Sequence, residues 1–177
     1  RKFLKQQGYE FKSETDTEVA AQLIEYYYVK LGSNDIEAAV SRALADIVGS
    51  YALCILCVDR PDQLICAKKD NPIVIGLGKE ENFVASDITA LIEYTRDVVF
   101  MEDNCYLIMK KDSVEIKDIH GEPVDYRVSH VEWDADAAQK GGYAHFMMKE
   151  MFEEPTAFDN TVRPRIQDDR IYLEHII

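Results

Sequence analysis

The sequence predicts an α+β fold in which helices pack as a layer against antiparallel sheet. Three observations support this prediction. Between residues 16 and 47 the apolar residues recur every three or four positions, which is typical of helices with one buried face. From residue 51 onward they form short runs separated by turn residues, which indicates a sheet built from hairpins. A helical segment also interrupts these runs.

The first long helix is predicted to begin in the stretch SETDTE, residues 13–18. Thr15 and Glu18 have the spacing of a capping box. Ser13 and Asp16 have the same spacing and could form a capping box two residues earlier. Acidic residues in a first turn also suit the positive end of the helix dipole. The pattern leaves two interpretations open, because the acidic cluster is either only a helix start or a ligand site. The predicted buried stripe comprises Val19, Ala20, Leu23, Ile24, Tyr27 and Leu31.

A second helix is predicted in the stretch SNDIEAAVSRALADIVG. Ser33 or Asn34 can cap its first turn, and Gly49 is predicted to end it. We expect both helices to lie with one apolar face on a sheet. The apolar face of the second helix comprises Ile36, Val40, Ala43, Leu44 and Ile47.

The strands are predicted from short apolar runs that follow the second helix. The turn between the first two strands is predicted at RPDQ, residues 60–63, and a short helix is predicted at DITALIEYT. In two of the strands, CYLIMKK and SVEIKDI, apolar and polar residues alternate in part, which favours a sheet with one solvent-facing side. The predicted strands are YALCILCVD, LICAKK, IVIGLG, NFVAS, DVVFM, CYLIMKK, SVEIKDI and VDYRVSHVEW.

After Trp133 the character of the sequence changes. DADAAQKGG is predicted as a loop, and YAHFMMKEMFEEP as a short amphipathic helix that stops at Pro155. The last residues are interpreted either as a C-terminal helix docked on the domain or as a connector to a further domain. The chain begins at Arg1 within an already structured pattern, so we expect it to be part of a longer protein.

Composition and charge exclude several classes of function. With 47% hydrophobic and 30% charged residues in a chain of 177, the composition is that of a globular protein and not of a disordered one. The net charge of -13 would repel a phosphate backbone, so nucleic acid is not an expected partner. The longest apolar run, YALCILCV, is far too short to span a bilayer, so a membrane is not expected either.

Four cysteines raise the question of a metal site or a disulfide. Cys54 and Cys57 have the spacing of half a zinc site, but residues three apart in a strand point to opposite faces and no second such pair follows. We therefore expect no metal, and we expect Cys54, Cys57, Cys66 and Cys105 to be buried, reduced thiols of a cytoplasmic protein. The histidines are separated from one another along the chain: His120, His130, His145 and His175.

Several segments of the sequence resemble one enzyme family. They are SETDTE with its helix, GSYAL (49–53), ICAKKDNPIVIGLG (65–78), ENFVASDITAL (81–91) and GGYAHFMMKEMFEEP (141–155). In order and spacing these segments resemble the glutamine:fructose-6-phosphate aminotransferases, the glucosamine-6-phosphate synthase family. The resemblance covers nearly the whole chain.

The resemblance implies a class II glutamine amidotransferase domain of N-terminal nucleophile hydrolase type. Such a domain is an αββα sandwich of antiparallel sheets, expected to be incomplete in this chain. In the family a cysteine at the very N-terminus attacks the side-chain amide of glutamine, and its own α-amino group acts as the base. The released ammonia passes to a sugar isomerase domain that converts fructose 6-phosphate to glucosamine 6-phosphate. The nucleophile is expected upstream, so the resemblance assigns no catalytic residue here and implies that the fragment alone is inactive.

One site residue carries over from the family to this sequence. The second acid of SETD, Asp16, corresponds to the residue that binds the α-amino group of glutamine. The resemblance divides the chain into residues 1–140, the C-terminal part of the glutaminase domain, and residues 141–177, a connector toward the isomerase domain. It implies no cofactor, a cytoplasmic homo-oligomer, and two partners, glutamine and the isomerase domain of the same protein.

The sequence departs from the family pattern at a few positions. Lys68 stands where arginine is usual, Asn71 where serine is usual, and Pro164 where glycine is usual. These departures bear on the role of residue 68 and on the geometry of the connector. Two alternatives stay open: a non-catalytic binding or assembly module with the same fold, and a fragment of another class II amidotransferase, such as the purine-pathway enzyme, which lacks SETDTE.

Overall fold

The computed structural model of the protein divides the chain into two compact units, Arg1–Glu132 and Trp133–Ile177. The predicted caps Ser33 and Asn34, most of the predicted loop DADAAQKGG and His175 lie outside the described residues. The part of the chain that the structure describes comprises residues 1–31, 35–132, 141–167 and 170–171.

Three helices open the first unit: α1 (Lys2–Gln6), α2 (Asp16–Leu31) and α3 (Ile36–Asp46). The N-cap of α3 is Asp35, whose carboxylate accepts the backbone N–H of Ala38 at 3.0 Å. The helix ends before the predicted Gly49, because Ile47 is already in an extended conformation. Both predicted long helices are therefore confirmed, with shifted ends for the second.

The apolar faces of these helices are buried together. Leu23 and Ile24 of α2 are buried, while Val19 and Tyr27 are partly buried; the side chain of Leu31 lies outside the described residues. Burial of such side chains removes apolar surface from water and is the main stabilising contribution of the layer. Their buried partners on the other helices are Leu4, Ile36, Ala39, Val40, Ala43 and Leu44.

The strands of the first unit form two antiparallel sheets. The first sheet has the order β1-β2-β6-β7 and the second the order β4-β3-β5-β8. The first sheet consists of β1 (Tyr51–Cys57), β2 (Arg60–Lys69), β6 (Cys105–Met109) and β7 (Val114–Asp118). The second consists of β3 (Val74–Leu77), β4 (Asn82–Ala85), β5 (Asp97–Phe100) and β8 (Ser129–His130).

The first sheet is covered on both faces. On one face Tyr51, Ile65 and Tyr106 join the helix core. On the other face Cys66 and Leu107 join a core with side chains of the second sheet, among them Ile75, Val99 and Met101. The layers are thus helix, sheet and sheet, and the predicted α+β fold with stacked antiparallel sheets is confirmed.

Strand β6 corrects one prediction. The partial alternation of CYLIMKK favoured one solvent-facing side, yet all five residues of β6 are buried. The strand is central in its sheet and has helices on one face and the second sheet on the other. A strand covered on both faces needs apolar residues at every position, so the prediction of a solvent-facing side was wrong.

The hairpin between β1 and β2 corrects a second prediction. Its turn lies at Val58 and Asp59, and the predicted turn residues 60–63 belong to β2. Pro61 is tolerated there because β2 pairs with β6 only from Leu64 onward, so Pro61 needs no N–H for a second ladder. The register also shifts at the end of β1, where a bulge follows Leu56.

The outer face of the second sheet is covered by the segment that follows β4. The helix predicted at DITALIEYT is only a 3-10 turn, Ile88–Ala90, which Asp87 caps by accepting the N–H of Thr89 at 2.8 Å. The segment approaches β3 so closely that a Cβ at Gly76 would lie 2.7 Å from Cγ2 of Thr95. Glycine at this position permits the contact.

The second unit contains one longer helix. α4 spans Phe146–Val162, followed by the 3-10 turn Arg163–Arg165 and a two-residue pairing of β9 (Ile166–Gln167) with β10 (Arg170–Ile171). The helix continues through Pro155, so the prediction that it stops there was wrong. Pro155 has no N–H to donate to the carbonyl of Met151, and Met151 is itself an exposed residue of the helix.

Candidate functional site

The loop before α2 is fixed by Arg1. Its guanidinium donates hydrogen bonds to the backbone carbonyls of Glu14, at 3.1 Å, and Ser13. The same group lies 4.6 Å from the ring centroid of Phe11, within the range of a cation–π contact. These contacts hold the loop against α1 from one side.

Glu18 fixes the loop from the other side. Its carboxylate accepts the backbone N–H of Lys12 at 2.8 Å, the N–H of Ser13 at 2.7 Å and the Ser13 hydroxyl at 2.5 Å. Thr15 Oγ1 accepts the N–H of Glu18 at 3.4 Å, which is half of the predicted capping box. The second bond of a capping box, from the N–H of Thr15 to the Glu18 carboxylate, is replaced by bonds to Glu18 from Lys12 and Ser13, which lie earlier in the loop.

These bonds change the acidity of Glu18. The Ser13 hydroxyl, followed by the N–H of Lys12, holds the pKa of Glu18 below its ordinary value. Donors aimed at a carboxylate favour its charged form. Glu18 therefore stays ionised and in place over the neutral pH range, and we assign it a structural role.

Asp16 is placed differently. It is the first residue of α2, its side chain is exposed, and it makes no side-chain hydrogen bond or ion pair with any residue that the structure describes. It lines neither of the two grooves that flank the helix start. An exposed carboxylate at the positive end of a helix, on a loop held by other residues, is available to bind a cationic group.

A groove of about 390 Å³ runs between α2 and β1. Small side chains on the helix, Ala20 and Ala21, leave this space open, and Thr17 stands at its upper end, next to the start of α2. Strand β1 is an edge strand that pairs only with β2 among the described strands, so the groove follows an unpaired backbone edge.

Two of the polar residues that line the groove, Tyr28 and Asp59, are bonded to each other. The hydroxyl of Tyr28 donates to Oδ2 of Asp59 at 2.9 Å, which raises the pKa of Tyr28 to about 12. The bond joins the end of α2 to the β1–β2 turn. Periodicity did not indicate this pair, because it does not report which residues of a helix and of a distant strand end meet.

The cysteines correct the prediction of four buried thiols. Cys66 and Cys105 are buried and Cys57 is partly buried, but Cys54 is exposed. Cys54 lies on the face of β1 that is turned toward the second sheet, and β1 is at the sheet edge, where the described residues do not cover that side chain. Its Sγ lies 3.4 Å from Sγ of Cys66.

The three departures from the family pattern lie in different environments. Lys68 Nζ donates to Oδ1 of Asp103 at 2.6 Å and to the carbonyl of Met101 at 3.2 Å, so it connects β2 to the turn before β6. Asn71 is exposed, and Pro164 lies in the 3-10 turn that follows α4.

Within the described ranges, no three His, Cys, Asp or Glu side chains come together in a way that could hold a metal ion. His130 Nδ1 lies 2.7 Å from Oδ1 of Asp97 on the edge of the second sheet, a pair of one histidine and one acid. No helix in this part of the chain is long and apolar enough to cross a membrane.

Two stacked antiparallel sheets with helices on the outer face of one define a fold of N-terminal nucleophile hydrolase type. A solved structure of glutamine phosphoribosylpyrophosphate amidotransferase from B. subtilis, complexed with ADP and GMP, is similar to this chain with a TM-score of 0.57 and 25% sequence identity. The similarity covers 67% of this chain and 25% of that one.

The sequence comparison identifies the family within this class. The family described as glutamine amidotransferase domain matches residues 1–93, more than half of the chain. The protein therefore belongs to the glutamine amidotransferase domain family.

Curated relatives extend the similarity over nearly the whole chain. A glutamine–fructose-6-phosphate aminotransferase (isomerizing) from Caldanaerobacter subterraneus subsp. tengcongensis is 49% identical over 99% of this chain. Proteins of the same name from Methanosarcina mazei and Thermotoga maritima are 44% and 42% identical over 96% and 99% of it. This chain spans only 28% or 29% of the length of these three relatives.

Proposed function

We propose that this chain is part of the glutamine-hydrolysing domain of a glutamine:fructose-6-phosphate aminotransferase. That enzyme takes ammonia from glutamine to make glucosamine 6-phosphate from fructose 6-phosphate. Identity of 42–49% to relatives of that name supports this assignment over another amidotransferase, since the phosphoribosylpyrophosphate enzyme is only 25% identical.

Asp16 is the residue of this chain that binds glutamine in the proposal. One observation carries the assignment: of the two acids in the first turn of α2, Glu18 is committed to the loop, whereas Asp16 is exposed and unpaired among the described residues. A carboxylate of this kind suits the α-ammonium group of free glutamine, because the two charges form a strong hydrogen bond.

Residues 1–140 belong to the glutaminase domain, and residues 141–177 lead toward a sugar isomerase domain in the same protein. The greater length of the relatives supports a further domain. We further propose a cytoplasmic homo-oligomer in hexosamine biosynthesis.

The 177 residues alone should release no ammonia from glutamine. The chemistry proposed for the family uses the α-amino group of the nucleophilic cysteine as base, and all four cysteines here lie within the chain, where their nitrogens are amides. Cys54 is exposed but has no such amine. Incubation with glutamine and an ammonia assay test this, with a buffer blank as reference.

The test of the site is steady-state kinetics on the full-length protein that contains this segment, with Asp16→Asn and Glu14→Gln compared. Glu14 is an exposed acid of the same loop, so it controls for a general loss of charge. We expect Asp16→Asn to lower kcat/KM for glutamine about a hundredfold, because the ammonium loses its partner, and Glu14→Gln to leave it unchanged.

Synthesis driven by added ammonia separates the outcomes. It should be unchanged in Asp16→Asn, since the sugar site lies in another domain. If kcat/KM for glutamine is the same in Asp16→Asn and wild type, Asp16 does not bind glutamine. A full-length protein with no glutamine-dependent activity at all would favour the non-catalytic module.

A further inference from the structure

Cys54 and Cys66 face each other across neighbouring strands. Cys54 of β1 is paired directly with Cys66 of β2, and their Sγ atoms are 3.4 Å apart. Directly paired residues of antiparallel strands have Cα atoms about 4.5–5.5 Å apart, within the range of about 4.4–6.8 Å that a disulfide spans. Side-chain rotation can therefore bring the two sulfurs to bonding distance without moving the strands.

The two thiols differ in access to solvent. Cys54 is exposed, whereas Cys66 is completely buried between the two sheets. A dissolved oxidant can therefore reach Cys54 first, and the sulfur of Cys66 is held in contact with the sulfur of Cys54. This is the arrangement of an attacking thiol with a resolving thiol.

The contact between the sulfurs also favours the reactive form of Cys54. The Cys66 thiol donates to the Cys54 sulfur, which lowers the pKa of Cys54 to about 7. The same bond, together with burial, raises the pKa of Cys66. The thiolate is the nucleophilic form of cysteine, so Cys54 is ionised in part at neutral pH while Cys66 keeps its proton.

The remaining two cysteines lack these features. Cys57 is partly buried on the opposite face of β1, against the helix core. Cys105 is buried at the start of β6, and desolvation raises its pKa. The sequence contains four cysteines, all within the described residues, so Cys54 and Cys66 are the pair that the fold brings together.

We propose that Cys54 and Cys66 are a reversible oxidation site. Peroxides oxidise the two thiols to a disulfide that links β1 to β2. The Cys54 thiolate attacks one oxygen of the peroxide, the O–O bond breaks, and a proton from solvent converts the departing hydroxide to water. Cys54 is then a sulfenic acid. The Cys66 sulfur attacks the Cys54 sulfur, the S–O bond breaks, and the Cys66 proton leaves with the hydroxyl group as a second water.

The disulfide between Cys54 and Cys66 can be reduced again, and it links only neighbouring strands. A dithiol reductant returns both cysteines to thiols and is itself oxidised to a disulfide. The linkage would join β1 to β2 beside the groove that Cys54 lines next to α2. Formation of this disulfide requires neither the glutamine-binding role of Asp16 nor the activity of the whole enzyme.

The experiment treats the 177-residue protein with hydrogen peroxide at neutral pH, blocks remaining thiols with an alkylating reagent and maps the peptides without reduction. A protease that cleaves before aspartate suits this sequence, because cuts at Asp59 and Asp62 place Cys54 on residues 46–58 and Cys66 on residues 62–69. We expect these two peptides to be linked, with the loss of two free thiols, and the link to disappear on reduction.

Variants identify the members of the pair. Cys57→Ser should keep the linked peptides, whereas Cys54→Ser should lose them. Cys66→Ala, which keeps a small apolar side chain in the core, should lose the link and accumulate a sulfenic acid on Cys54 that dimedone traps. Thermal unfolding of each variant verifies that it is folded.

Two results would overturn the proposal. One is a link between the same peptides that persists in Cys54→Ser and vanishes in Cys57→Ser. The other is wild-type protein whose Cys54 is oxidised beyond the sulfenic acid while Cys66 stays free, since a resolving thiol in contact should react first.

Discussion

The carboxylate of Glu18 accepts the backbone N–H of Ser13 at 2.7 Å, so a side chain in the first turn of α2 holds the loop that precedes the helix. The second carboxylate oxygen accepts the N–H of Lys12 at 2.8 Å. Both oxygens are therefore acceptors of backbone donors. Asp16, two residues earlier, makes no such contact within the described part of the chain.

Glu18→Gln should destabilise the first unit although the two side chains have nearly the same shape. A glutamine amide has one acceptor oxygen, so its NH₂ group would face one of the two backbone N–H donors. We expect Tm to fall by roughly 2–4 °C in thermal unfolding. Glu14→Gln, in the same loop, should leave Tm unchanged. A Tm of Glu18→Gln equal to wild type would show that the loop does not depend on this carboxylate.

The difference in Tm between wild type and Glu18→Gln should depend on pH. Because the pKa of Glu18 is lowered in the folded state, its stabilising contribution is complete above the unfolded value of 4.5 and is lost as the pH falls through the folded pKa. The difference should therefore be constant near neutral pH and shrink below 4.5. Taking the difference cancels the titration of other acids. A difference that grows on acidification would contradict the assigned direction.

Leu107→Ala should be among the most damaging single substitutions. Leu107 is completely buried on β6 between the two sheets, so truncation removes apolar contacts and leaves a cavity. We expect a loss of about 2–5 kcal/mol in the free energy of unfolding, measured in urea. Leu56→Ala is the matched control, because Leu56 is 77% exposed on β1, and it should cost less than about 0.5 kcal/mol.

The ion pair between Lys117 and Glu37 should stabilise the contact between α3 and β7. Lys117 Nζ lies 2.9 Å from Oε2 of Glu37, and the lysine side chain is only 17% exposed. A double-mutant cycle with Lys117→Met and Glu37→Gln should give a coupling of about 1 kcal/mol. The looser pair of Lys110 with Asp62, at 3.9 Å, should couple by less than about 0.3 kcal/mol. Equal coupling energies for the two pairs would show that partial burial does not strengthen the pair of Lys117 with Glu37.

The start of α2 was predictable in part. The spacing of Thr15 and Glu18 predicted a cap, and the helix begins at the next residue, Asp16. The pattern could not show that Glu18 holds the loop while Asp16 makes no side-chain contact among the described residues. That distinction depends on where the loop at Lys12 and Ser13 runs, and a spacing rule contains no information about the path of a loop.

Predictions that depended on contacts between distant segments were the ones that failed. The burial of β6 depends on a second sheet made of other strands, which the alternation within CYLIMKK cannot report. The cysteine pairing depends on the hairpin turn. A turn at residues 60–63 would have placed Cys57 opposite Cys66. The turn at Val58 and Asp59, together with the register shift after Leu56, places Cys54 there. An error of a few residues in a turn changes which side chains meet.

Position 76 is an example of how packing restricts sequence variation. Any residue other than glycine would add a Cβ at 2.7 Å from Thr95, closer than side-chain atoms approach one another, on a strand whose backbone is paired on both sides. Rotation of the Thr95 side chain away from the strand would break the hydrogen bond that its hydroxyl donates to the carbonyl of Leu77 at 2.5 Å. A library of all twenty residues at this codon, selected for soluble protein, should thus return glycine, and a second-site change of Thr95 to a smaller residue should widen the accepted set to alanine.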